Sequence, residues 1–198
     1  GHEQQDKSIK SLNKLHQSRK TILIQLKQNI IAKEHQLITL KENKQHLEDL
    51  ILTLNQHQKQ GLPNQKIFNF SSHKGQLIWP VSGTLNTTTK TKRLLDRSVT
   101  LLTHTNKTVY AIAPGKVVFA HWIPHYGLTL IIQHDHSYLS LYAHINMLYK
   151  KLGDSVHLGE EIAVSGKSGG KNRNQLYFAL RHGSIPINPK AWCLHRST

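Results

Sequence analysis

The chain has a single cysteine, Cys193, which excludes a disulfide framework and a cysteine-rich zinc site. No apolar run approaches the roughly 18 residues that a bilayer span requires, so no segment reads as integral to a membrane. Residues 3–60 contain no Gly, no Pro and no Tyr, Phe or Trp, which excludes turns and an aromatic core from that stretch. Acidic residues are scarce as well: 11 Asp and Glu against 26 Lys and Arg give a net charge of +15. That imbalance invites an acidic partner, whether nucleic acid, anionic lipid or a cell-wall polymer. No secretory signal opens the 198 residues, but Gly1-His2 has the look of a cloning remnant, so a removed signal is compatible with the sequence.

What residues 3–60 do contain is helix composition, rich in Gln, Lys, Leu and Ile. Leu37, Leu40, Leu47, Ile51 and Leu54 recur at steps of three, four and seven, with Lys44 in the seam. Upstream, Leu12, Leu15, Ile22 and Leu26 follow the same alternation around Arg19, and Ile30 comes after an extra step of four. This is a heptad stripe with one stutter. A continuous helix here would be on the order of 88 Å long, and it cannot bury its stripe alone. The expectation is a coiled coil with a second helix; the alternative is an amphipathic helix packed on the globular part. Gly61-Leu62-Pro63-Asn64 is a helix stop, and 61–75 reads as a linker.

Beyond it the character changes. Thr108–Ile112, Lys116–Ala120, Leu128–Gln133 and Tyr138–Tyr142 are rich in β-branched and aromatic residues, with Gly or Pro punctuation at Pro114-Gly115, Gly127, Gly153, Gly159, Gly166 and Gly169-Gly170. Such short strands predict an antiparallel β domain large enough for its own core. The fold class expected is therefore α+β: a long N-terminal coiled-coil helix (1–60), a linker (61–75) and an all-β domain (76–198). From residue 61 onward the chain carries +11 of the +15.

The order of motifs in the second part is specific. Trp79-Pro80-Val81-Ser82-Gly83 is followed by Val109-x-Ala111, Gly115-x-Val117, Tyr126-Gly127, His134 and Leu141-Tyr142-Ala143-His144. Then come Gly153-Asp154-x-Val156, Gly159-x-x-Ile162-Ala163, Gly166-x-Ser168-Gly169, Leu176-Tyr177-Phe178-x-Leu180-Arg181 and Asn188-Pro189-x-x-Trp192. This run resembles the LytM, or lysostaphin-type, peptidoglycan endopeptidase domain from about Leu77 to Trp192. With a coiled coil in front, it resembles the EnvC-like activators of cell-division amidases.

The resemblance implies a zinc site in active members, made by a His-x-x-x-Asp pair and the second His of a His-x-His, with the first His of that motif and the His of Tyr-Ala-His in catalysis. Three protein ligands leave a position for water, whose pKa the metal lowers to about 7. In this sequence those positions fall on Asp96, Thr100, Gln175 and Tyr177, and only His144 keeps the family residue. A hydroxyl, an amide and a phenol are poor zinc ligands, and one carboxylate cannot hold the metal by itself. The domain is expected to be non-catalytic, without cofactor or metal. His134-Asp135-His136, with His121 and His125 nearby, could in principle form another metal site, but Asp135-His136-Ser137 reads as a turn after a strand.

The resemblance further implies that the former active-site groove binds a partner through Arg97, Thr100, Tyr126, Thr129, His144, Tyr177 and Arg181. The implied partner is a zinc-dependent N-acetylmuramoyl-L-alanine amidase in the periplasm of a Gram-negative cell. The groove would displace a helix that blocks the amidase's own site, while the coiled coil docks on the periplasmic region of FtsX. Peptidoglycan and a second copy of the helix are further candidate partners. Nucleic acid is not expected, because the basic residues are spread over helix and loops, as in Lys90-Thr91-Lys92-Arg93. The competing readings are an active LytM-type zinc endopeptidase and a passive peptidoglycan-binding module. EnvC-like proteins also carry a long arm whose helix covers the groove. Only about 15 residues, Gly61 to Gly75, are available here, so the groove is expected to be open or covered by a neighbouring copy.

Overall fold

A computed structural model describes residues 2–57, 68–86 and 97–195 of the chain. It divides into two compact units, Gly1–His46 and Leu47–Thr198. Helix α1 spans His2–His57, as the run without Gly or Pro dictates. Within the first unit the heptad residues Leu12, Leu15, Ile22, Leu26, Ile30, Leu37 and Leu40 are all exposed. No described helix is long and apolar enough to cross a membrane. The expected stop at Gly61–Asn64 lies outside the described residues.

The second unit holds ten described strands and the last turns of α1. The strands are β1 (Thr84–Leu85), β2 (Val99–Leu102), β3 (Thr108–Tyr110), β4 (Gly115–Ile123), β5 (Gly127–Gln133), β6 (Tyr138–Leu148), β7 (Ser155–Val156), β8 (Glu161–Ser165), β9 (Gln175–His182) and β10 (Ile185–Ile187). A short helix α2 (Pro189–Trp192) follows, capped by the Asn188 side chain, which accepts from the Lys190 N–H. The described strands pair antiparallel throughout, in the order β1-β2-β9-β6-β5-β4-β7; β10 pairs with β9, and β8 with β3 and β6. The chain is thus a long helix followed by an antiparallel sheet, as its sequence indicates.

Strand alternation sends side chains to two faces, and each face has its own core. One carries Leu130, Ile132, Tyr142, Phe178 and Leu180, packed with Phe70, Leu77, Ile112 and Trp192. Part of the stretch expected as a linker is anchored there. Phe70 is fully buried, stacks on His134 and Tyr138, and its N–H donates to the Asp135 carboxylate at 2.9 Å. The other face carries Ile131, Leu139, Leu141 and Ala179, covered by Leu47 and Ile51 from the end of α1, with Leu50 and Leu54 partly buried beside them. The apolar residues of the helix therefore divide. Those up to Leu40 stay exposed, whereas Leu47 and Ile51 take the alternative course and pack on the sheet.

Candidate functional site

The face under α1 is built by cross-strand register. Thr100 of β2 stands opposite Tyr177 of β9, which stands opposite Ala143 of β6. One layer further, Ala179 pairs with Leu141, and Leu141 with Ile131; then Arg181 pairs with Leu139. Tyr177 and Phe178 point to opposite faces: Phe178 is in the core of the first face and Tyr177 packs beside α1. Gln175, two residues before Tyr177, shares its face by alternation and is buried.

Two loops lock together at one end of this face. Gly127 (φ +70°) begins β5 and meets Ser168 and Gly169; a Cβ on Gly127 would lie 2.3 Å from Ser168 Oγ. Only glycine fits such an approach, and the positive φ reinforces the requirement. His144 fastens the same corner. Its Nδ1–H donates to the Ser168 carbonyl at 2.8 Å and its backbone N–H to the Tyr126 carbonyl at 2.8 Å. The residue has φ 60° and is buried. Burial holds its imidazole near a pKa of about 4, so the ring is neutral at physiological pH. Tyr126 meets Tyr177 edge-on, centroids 5.2 Å apart, and His144 meets Tyr177 at 6.2 Å. Tyr126, His144, Tyr177 and Thr100 thus form one neighbourhood.

The other residues named from the sequence fall in different surroundings. Thr129 is buried, its hydroxyl donating to the Gly127 carbonyl, so it fixes the hairpin. Arg97 is exposed immediately before β2. Asp96 lies outside the described residues. Arg181, read as a groove residue, is buried: Nη2 and Nη1 donate to the two carboxylate oxygens of Glu48 at 2.7 and 3.0 Å, and Nη1 also to the Ser184 carbonyl at 3.2 Å. Glu48, on the last turns of α1, was not legible as a site residue. Its partner lies 133 positions away, and nothing in the helical pattern distinguishes it from a solvated glutamate. The face expected to be open or covered by another copy is, at Ile131, Leu139, Leu141 and Ala179, covered by the same chain.

Among the described residues, the donor set here does not suit zinc. Thr100 and Tyr177, standing side by side, offer a hydroxyl and a phenol rather than imidazole or carboxylate. Among the described residues no group of three or more His, Cys, Asp or Glu could hold a metal ion. His134, considered for another site, is engaged inside the fold: Nδ1–H donates to the Pro114 carbonyl and Nε2 accepts from Ser140 Oγ.

Residues 95–189 match the family model described as Peptidase family M23. The chain is 34% identical over 122 residues to the murein hydrolase activator EnvC of Escherichia coli, covering 60% of this chain and 29% of that protein. It is 30% identical over 112 residues to the murein hydrolase activator NlpD of the same organism, covering 56% and 29%. It spans about a third of the length of the curated relatives it matches. A peptidase M23 crystal structure from Pseudomonas aeruginosa superposes with a TM-score of 0.60 at 19% identity, over 78% of this chain and 61% of that one, which establishes the fold. The β unit, with its antiparallel sheet and its motifs in order, matches peptidase family M23 over residues 95–189 and is similar to part of EnvC and part of NlpD.

Proposed function

We propose that the chain is a non-catalytic activator of a murein hydrolase, acting on an N-acetylmuramoyl-L-alanine amidase in the periplasm. The observation that carries this reading is the Thr100–Tyr177 pair on the sheet face, where the family resemblance places metal ligands. The names of the relatives, murein hydrolase activators, support the role. Tyr126 and Tyr177 present an aromatic pair, and Tyr is among the residue types enriched at binding hot spots. The amidase would engage this face in its open state only, so that differential affinity moves its equilibrium toward activity. That engagement requires the last turns of α1 to leave Ile131, Leu139, Leu141 and Ala179. The exposed heptad residues of α1 are the surface left for the periplasmic region of FtsX or for a second helix.

The test is dye release from labelled murein by this chain alone and mixed with each amidase of the same organism. The expected result is no release by the chain alone and at least about tenfold stimulation of one amidase, lost in Tyr177→Ala. Hydrolysis by the chain alone would overturn the non-catalytic reading, and full stimulation by Tyr177→Ala would remove the groove from it.

A further inference from the structure

A cleft of about 600 Å³ opens beside Leu128 of β5 and Ser168. Its apolar wall is Leu128 with Trp122, whose indole is 52% exposed although it sits at the end of a strand. Around that wall stand Asn106, Asn146, Asn174 and Lys167. Asn106, Asn146 and Lys167 make no side-chain hydrogen bond to other described residues, so their donors and acceptors are available. A second cleft of about 440 Å³ adjoins the first, sharing Lys167 and Asn174 and adding Arg173 and His104. Among the described residues no carboxylate lines either cleft.

This combination has a definite chemistry. An exposed indole offers a flat surface for the apolar C–H face of a pyranose ring. The Asn106 and Asn146 amides each supply both donors and an acceptor, matching vicinal hydroxyls and N-acetyl groups, whereas Asn174 Nδ2 already donates to the His104 carbonyl at 3.3 Å. Lysine and arginine in the adjoining cleft suit carboxylate. Two adjoining clefts suit an extended chain better than a single compact ligand, and volumes in this range fit a few sugar rings.

We infer that the paired clefts bind the glycan strand of peptidoglycan after its stem peptides have been removed. The choice of this form rests on the amidase reading above. Hydrolysis of the amide bond between the muramoyl carbonyl and L-alanine takes up one water, releases the peptide amine and leaves a free carboxylate on the sugar. A strand so treated alternates neutral N-acetylated rings with anionic ones, which is the alternation that Trp122 and the asparagines, then Lys167 and Arg173, would read. The activator would thereby be retained where its partner amidase has already cut.

The experiment measures binding of the full chain, without any amidase, to three polymers: peptide-free glycan strands, glycan strands still bearing peptides, and polyglutamate. The runs include roughly 1 M salt, where the Debye length is about 3 Å and diffuse charge attraction is suppressed. Expected are a preference of about tenfold for peptide-free strands, a loss of about tenfold in Trp122→Ala, and retention in Trp122→Phe, which keeps an aromatic surface. Equal binding of peptide-bearing strands, or wild-type binding by Trp122→Ala, would overturn the inference. So would polyglutamate matching glycan at high salt. Because no amidase is present, failure to stimulate one in the dye assay leaves this result standing and sinks only the activator reading.

Discussion

Replacing Glu48 by alanine probes the contact that holds the end of α1 on the sheet. Arg181 has 6% of its side chain exposed and Glu48 30%, and the guanidinium makes two bonds to that carboxylate and one to the Ser184 carbonyl. Removing the carboxylate strands a buried cation with one neutral acceptor. Breaking a fully buried pair in this way costs about 3–5 kcal/mol; water reaching the Glu48 side reduces the figure here to about 2. The penalty is relieved when the last turns of α1 lift off and water enters, so the ratio of undocked to docked helix should rise about 30-fold. Hydrogen exchange reads this directly: amides of Leu47–Leu54 should exchange about 30-fold faster, while those of β6 and β9 keep their protection. The double variant Glu48→Ala/Arg181→Ala should be less destabilised than the sum of the singles, because the stranded charge is gone. Amidase stimulation by Glu48→Ala should exceed that of the parent chain. Unchanged exchange at Leu47–Leu54, or an equal rise across the whole sheet, would refute local undocking controlled by this pair.

Acidification should destabilise the β unit through His134 and His144. Both have pKa values lowered by burial to about 4 from the ordinary 6.5, so the unfolded chain binds more protons between those values and stability falls as pH drops from 6.5 through 4, by about 2 kcal/mol from each at pH 5. Urea midpoints at pH 7 and pH 5 check this, and equal midpoints would contradict it. Phe70→Ala empties a site walled by His134, Tyr138 and Trp192 and should cost about 3–5 kcal/mol in urea unfolding; a loss below about 1 would mean the anchor is not packed as described. Gly127→Ala combines φ +70° with a Cβ placed 2.5 Å from the Gly169 backbone nitrogen. It should cost about 2 kcal/mol or more and shift the amide resonances of 166–170.

Much of this protein was legible in its sequence. The absence of Gly, Pro and aromatics from 3–60 predicts a helix, because nothing there stops one, and α1 runs to His57. The four expected strand cores lie within or overlap β3, β4, β5 and β6, since β-branched residues between Gly and Pro leave few other solutions. The motif order pointed to the LytM fold. What could not be read was which contacts a residue makes far along the chain. Tyr126, Tyr177, Thr100 and His144 share one neighbourhood, in which cross-strand register sets Thr100 opposite Tyr177. Arg181 reads as a free groove cation in sequence, yet in the fold it is neutralised by Glu48.

The heptad stripe makes the division clear. Sequence periodicity determined that α1 has an apolar side to bury. It could not determine what buries it, because a second helix and an apolar sheet face satisfy the same stripe equally well. The fold decided for Leu47 and Ile51, which cover Ile131, Leu139, Leu141 and Ala179. Likewise Trp122, Asn106, Asn146 and Asn174 come from four separate stretches of sequence, and only the closure of the sheet and its loops assembles them around one cleft. Local pattern fixes secondary structure through backbone geometry, whereas a site depends on distances between residues far apart in the chain, which tertiary packing alone sets.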